Sequence, residues 1–145
     1  MSTEQNKQIV RRFYQELWNE GKLESADELF APEFVGHAPG NTGAKGPEGV
    51  KQFVATWRTA MPDLQLTIDQ QYAEGDMVGT VFTGTGTHTG PLMGIPPTGK
   101  SVTMSGMAIQ HLTDGKVVSD WGEFDILGLL QQLGVAPSGP GASTR

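Results

Sequence analysis

Trp57-Arg58-Thr59-Ala60-Met61-Pro62-Asp63-Leu64-Gln65-Leu66-Thr67-Ile68 holds the change that decides the fold. Before Pro62, Val50, Phe53, Val54, Trp57 and Met61 recur on one helix face, opened at Pro47, whose fixed φ suits a first helical position. After Pro62 the period drops to two: Leu64, Leu66 and Ile68 alternate with Gln65 and Thr67. A helical half therefore precedes a sheet half, the α+β order.

Upstream, Ser2 and Gln5 read as a capping box, and Ile9, Val10, Phe13, Tyr14, Leu17 and Trp18 then keep helical spacing up to Gly21. Leu23, Ala26, Leu29 and Phe30 predict a short second helix ending before Pro32. Phe34-Val35-Gly36-His37 reads as a brief extended segment, followed by a loop from Pro39 to Gly46. Downstream, the strand opened at Leu64 runs to a turn at Glu74-Gly75-Asp76, and further strands span Met77–His88, Ser101–Leu112 and Lys116–Phe124. Asp125 opens a terminal helix through Leu133 as its N-cap. Residues 1–135 form one domain, and residues 136–145, rich in Pro, Gly and Ser, are expected to be disordered.

Between the second and third strands, Thr85 to Lys100 is too dense in Gly and Pro for regular structure, so it forms a shaped loop. Its Leu92-Met93-Gly94-Ile95 centre fits either a rim over a pocket or a hairpin connection whose Leu92 and Ile95 plug the core.

A chain of 145 residues buries roughly 68–70% of its unfolded surface, enough to close a core around a cavity. With 10 Lys+Arg against 16 Asp+Glu, the net charge is −6 and the cations are scattered, which disfavours nucleic acid and anionic membranes as partners. The absence of Cys removes disulfides and thiolate chemistry and fits a cytoplasmic protein. No apolar run reaches membrane-spanning length, and no spacing of His and carboxylates suggests a metal site.

The Gly-Pro loop, with Leu112-Thr113-Asp114-Gly115-Lys116-Val117-Val118, Trp121 and Asp125-Ile126-Leu127-Gly128-Leu129-Leu130-Gln131-Gln132-Leu133-Gly134, resembles the SnoaL-like polyketide cyclases of the NTF2-like superfamily. The resemblance extends from the helix around Val10 to Gly134. It implies a cone-shaped α+β barrel with N-terminal helices on a strongly curved antiparallel sheet. It also implies cofactor-independent aldol-type acid/base chemistry on a hydrophobic carbonyl or polyketide-like compound. Members use an aspartate on the last strand and a histidine on the preceding one. Here those positions fall on Gly122 and Ala108, neither of which can move a proton.

Other residues must then supply the chemistry. If Thr113-Asp114-Gly115 makes a three-residue turn pairing Leu112 with Lys116, then Met104, Gly106, Ala108 and Gln110 share a face with Val118, Asp120, Gly122 and Phe124. Met107, Ile109, His111, Ser119, Trp121 and Glu123 share the other. Asp120 lies two residues before Gly122, about 6–7 Å along the strand, and becomes the candidate base. His37 and His88 are the candidate acids or carbonyl-orienting groups, imidazole being the side-chain type suited to proton transfer near neutral pH. Tyr14, Phe53, Trp57, Met61, Met104, Ala108, Gln110 and Gly122 are the candidate substrate contacts. Met and Gly are plentiful among such positions, leaving room for a flat apolar ligand. The alternatives are a non-catalytic small-molecule carrier, or another reaction on the scaffold: isomerisation, epoxide hydrolysis or a hydroxylation accessory. The apolar outer face predicts a homodimer.

Overall fold

The computed structural model describes residues 1–38 and 44–137. The expected loop at Pro39–Gly46 falls partly, and the expected tail at 136–145 almost wholly, outside these residues. Helix α1 (Thr3–Arg12) begins at the Ser2/Gln5 capping box. It passes without a break into a π-helical stretch, Phe13–Asn19, with all four of Phe13, Tyr14, Leu17 and Trp18 buried. After a 3-10 turn at Leu23–Ser25 come α2 (Ala26–Leu29), β1 (Phe30–His37) and α3 (Gly46–Ala60). Strands β2 (Gln65–Glu74), β3 (Met77–Thr87), β4 (Ser101–Thr113) and β5 (Lys116–Phe124) and helix α4 (Ile126–Gln132) complete the chain. Asp125 caps α4 by accepting from the Gly128 N–H at 2.9 Å.

The five strands form one sheet in the order β1-β5-β4-β3-β2. Three of its ladders are antiparallel, as expected, but β1 runs parallel to β5, with Gly36 opposite Asp120 and His37 opposite Trp121. The segment read as a brief extension at Phe34–His37 is thus a full edge strand. Its parallel sense is possible because α3 and three strands intervene before β5, long enough for the chain to return in the same direction. The sheet is curved but not closed. On the free edge of β2, the Asn19 amide bonds the backbone of Leu66 on both sides, accepting from its N–H at 2.7 Å and donating to its carbonyl at 3.0 Å. That pairing substitutes for a neighbouring strand and fixes the π-helical stretch against the sheet.

The β4–β5 turn corrects the expected three-residue loop. Thr113 pairs with Lys116 across a two-residue turn, with Asp114 at φ 51° and Gly115 at φ 79°. Both central residues left-handed is the hairpin geometry whose twist matches that of the strands. Such a turn alone would exchange the two faces of the hairpin. A bulge reverses the exchange: Leu112 pairs with Val117 but His111 with Ser119, leaving Val118 as the extra residue. Ala108 consequently faces Gly122, and Gln110 faces Asp120. The inward and outward sets deduced from sequence survive, apart from Val118, through a turn and a bulge that offset each other.

The Gly-Pro loop turns tightly, with Leu92 and Ile95 exchanging backbone hydrogen bonds at 3.1 and 2.8 Å. Leu92 is buried in the core, and the N–H groups of Thr89 and Gly90 both reach the Ala60 carbonyl at the end of α3, at 3.0 Å each. Of the two readings the structure favours the plug, since Leu92 lies in the core with Ile95 packed against it and no residue of the loop lines the cavity.

Candidate active site

The curved sheet and helices form an open-mouthed, almost wholly apolar pocket, with about 650 Å³ of empty space when the solvent at its mouth is included. The π-helical stretch contributes Phe13, Tyr14 and Trp18, and α3 contributes Val50, Phe53 and Trp57. Aromatic rings hold one another in place: Trp18 meets Phe53 edge-on at 5.8 Å, and Phe124 meets Trp57 at 6.2 Å and Phe82 at 6.0 Å. Among the described residues no Lys, Arg or His lines this space.

Two glycines on the inward faces of β4 and β5 have different reasons to be glycine. A Cβ on Gly106 would come within 2.5 Å of the Phe82 ring, so the ring requires the missing side chain. A Cβ on Gly122 would meet Ala38 and Phe124 only at 3.4 Å, ordinary contact distance. Gly122 is therefore spare volume rather than a packing necessity. With Ala108 directly opposite on β4, it leaves a bare apolar rung where the family resemblance puts an acid/base pair.

The next rung toward the hairpin is polar. Asp120 on β5 faces Gln110 on β4, and both line the cavity. Asp120 is half-buried, and desolvation pushes its carboxyl up to about 6, opposed by the His37 backbone N–H, the His37 ring and the Gln110 amide. The His37 N–H lies 3.4 Å from Asp120 Oδ1. Tyr14 is buried beside them. Burial first, and the Asp120 charge second, raise its phenol well above the ordinary tyrosine range despite an opposing contribution from Thr80. It stays a neutral O–H donor near a carboxyl that changes charge close to neutral pH.

Seven of the eight expected substrate contacts line the cavity: Tyr14, Phe53, Trp57, Met104, Ala108, Gln110 and Gly122. Met61 does not; it is buried against Gly86. Of the three candidate catalytic residues, Asp120 alone is in the lining. The exposed His37 ring stacks on Trp121 at 5.3 Å and 14°, on the outer face. His88 is buried elsewhere: its Nδ1 accepts from the Thr98 N–H at 3.2 Å and lies 3.0 Å from the Thr98 hydroxyl. Its backbone bonds Gly99 and Lys100, so the imidazole is built into the Gly-Pro loop.

Phe13, Trp18, Phe82 and Phe124 also belong to the lining and were missing from the substrate contacts expected from sequence. Phe124 was in the inward set, and a glycine at 106 opposite Phe82 was the available sign of a ring lying across the sheet. Among the described residues no group of His, Asp and Glu could hold a metal, and no helix is long and apolar enough to cross a membrane.

This arrangement defines an NTF2-like cone with an apolar pocket. More particularly, residues 8–133 match the SnoaL-like polyketide cyclase family, and the chain belongs to it. It is 29% identical over 122 residues to nogalonic acid methyl ester cyclase of Streptomyces nogalater, covering 81% of this chain and 89% of that enzyme. It is 30% identical over 131 residues to aklanonic acid methyl ester cyclase DnrD of Streptomyces peucetius, covering 87% and 88%. Among solved structures it resembles AclR of Streptomyces galilaeus, for which a hydroxylase role has been suggested. That match has TM-score 0.85 and 29% identity, covering 99% of this chain and 89% of AclR.

Proposed function

We propose that this protein is a cofactor-independent cyclase acting on a hydrophobic carbonyl compound, with its acid/base centre moved one rung along the β4–β5 ladder, to Asp120. The observation that carries this reading is the Asp120 carboxyl in the cavity wall, with burial raising it to about 6, where a carboxylate is a usable base near neutral pH. As carboxylate, Asp120 removes a proton from a C–H beside a carbonyl. The enolate that forms accepts a hydrogen bond from the Tyr14 hydroxyl and is further stabilised by the substrate's own conjugation. Its carbon attacks a second carbonyl of the same molecule, forming the ring C–C bond. The new alkoxide takes the proton back from Asp120, so the product is an isomer of the substrate. The aromatic walls exclude water and hold the two reacting carbons together.

Nogalonic acid methyl ester and aklanonic acid methyl ester, the compounds named for the relatives, are the first substrates to try. Chromatography reads cyclisation, and deuterium uptake from D2O reads deprotonation separately. Turnover or exchange that depends on Asp120 supports the reading. Tight binding with neither cyclisation nor exchange favours the carrier reading, to which the bare Ala108–Gly122 rung lends support.

The outer face of the sheet exposes Met107, Ile109 and Trp121, and this supports a homodimer, for which light scattering would give about twice 15.5 kDa. The lack of Cys is in keeping with a reducing cytoplasm.

A further inference from the structure

Gln110 is 1% exposed, lines the cavity, and its Oε1 has no hydrogen-bond partner. The cross-strand neighbour explains which way the amide faces. Asp120 as carboxylate can only accept, so it draws the Gln110 NH2 group toward itself, and the carbonyl is left pointing elsewhere in an almost wholly carbon-lined space. A buried amide carbonyl without a donor is a standing cost that most proteins avoid, and it is relieved by whatever brings an O–H or N–H to it. Among the described residues no cation lines the cavity to accompany a negatively charged ligand. We infer that Gln110 is a substrate-positioning residue whose Oε1 accepts a hydrogen bond from a hydroxyl of a neutral ligand, a phenol or enol, and so selects hydroxylated compounds over their ethers.

The consequence is positional. A hydroxyl held by Gln110 sits beside the carboxylate on the same rung, so the C–H presented to Asp120 is one a few bonds from that hydroxyl. The remaining rings extend over Ala108 and Gly122 toward Phe124 and Trp57. The bare rung then has a use: it is the floor on which an apolar ring lies while its polar end is fixed one rung away.

This inference rests on the cone being a ligand site, and the test separates the two. Equilibrium dialysis compares 2-naphthol with 2-methoxynaphthalene, a pair differing in the O–H donor. The wild-type protein should hold the naphthol roughly 10-fold more tightly, as sites with a buried acceptor do. In Gln110→Leu the preference should fall within about twofold, with the ether bound at least as well as before, because the unpaired carbonyl is gone. Gln110→Met serves if the leucine variant fails to fold, judged by circular dichroism. An equal affinity for both probes in the wild type, or an unchanged preference in the variants, overturns the assignment. A preference that survives in Gln110→Leu but disappears in Asp120→Asn gives the hydroxyl to Asp120 instead. Retention of neither compound removes the cone as a ligand site, and the cyclase reading with it.

Discussion

Two adjacent rungs of one ladder differ in almost everything except geometry. Ala108–Gly122 and Gln110–Asp120 are consecutive inward-facing pairs of β4 and β5, built by the same hydrogen-bond pattern and covered by the same helices. One is stripped of side chains; the other carries a carboxyl and an amide. The fold thus supplies equivalent positions along the cavity floor, and chemistry can occupy either without any change in backbone. What distinguishes them is the neighbourhood: Asp120 has the Tyr14 phenol nearby and the edge strand β1 at its flank.

The comparison fails most visibly if the polar rung is inert. Asp120→Asn should lower turnover roughly 10²-fold or more with ligand affinity nearly unchanged, the size expected from losing one general base. The same variant should be more heat-stable near neutrality. Because burial raises the folded-state pKa of Asp120 from 3.8 to about 6, the folded protein holds the proton more firmly than the unfolded chain, and stability falls as pH rises between those values. Asparagine removes that loss, so its melting temperature should exceed the wild type's by a few degrees at about pH 7 and not at about pH 4. Undiminished activity in Asp120→Asn would remove Asp120 from the reaction and leave the base to be sought on another residue.

Tyr14→Phe tests the neighbourhood rather than the rung. Removing one donor should cost roughly 10-fold in turnover, less than a lone oxyanion donor because the substrate's conjugation shares the charge. Unaltered kinetics would exclude the phenol from the reaction.

Gly122→Asp places a carboxyl on the bare rung, where the backbone leaves a Cβ at ordinary contact distance. Wild-type activity should rise with pH through about 6 as Asp120 ionises. A second carboxylate nearby should move that midpoint up by roughly one pH unit through like-charge repulsion. An unmoved midpoint would mean that the rungs do not sense each other. The smallest effect is expected outside the cone: His37→Ala, losing a ring stacked on Trp121 and its minor charge contribution to Asp120 but keeping the backbone N–H, should change turnover less than about twofold.

The sheet half was legible because alternation survives one-residue accidents only in pairs. Sequence alone suggested a three-residue turn; the two-residue turn and the Val118 bulge each shift parity, and together they restore it. The parallel β1 was not legible, since Phe30 to His37 shows no feature that fixes strand direction, and direction is set by what intervenes before β5. Asp120, Gln110 and Gly122 could be placed by counting from the turn. The histidines could not, because a motif position gives proximity in sequence and says nothing about which side of β1 the His37 ring takes, or that Thr98 would engage His88. Met61 was misassigned for a similar reason: it follows the last residue of α3, where the backbone leaves the helix and the side chain turns toward Gly86.

The π-helical stretch Phe13–Asn19 imposes a constraint of another kind. Its wider turn means that Phe13, Tyr14, Leu17 and Trp18 owe their shared inward facing partly to the number of residues in the stretch. Deleting one residue there would let the segment tighten to an ordinary α-helix, whose narrower turn needs fewer residues for the same sweep, so the flanking segments would keep about their orientation while the side chains between them were re-spaced around the axis. Asn19, clamped to β2, holds one end in place, so the change of spacing would fall on Tyr14 and the aromatic rings. The cavity wall thus depends on chain length as well as on residue identity: substitutions within this segment change single side chains, whereas a single-codon deletion would re-space all the rings it contributes.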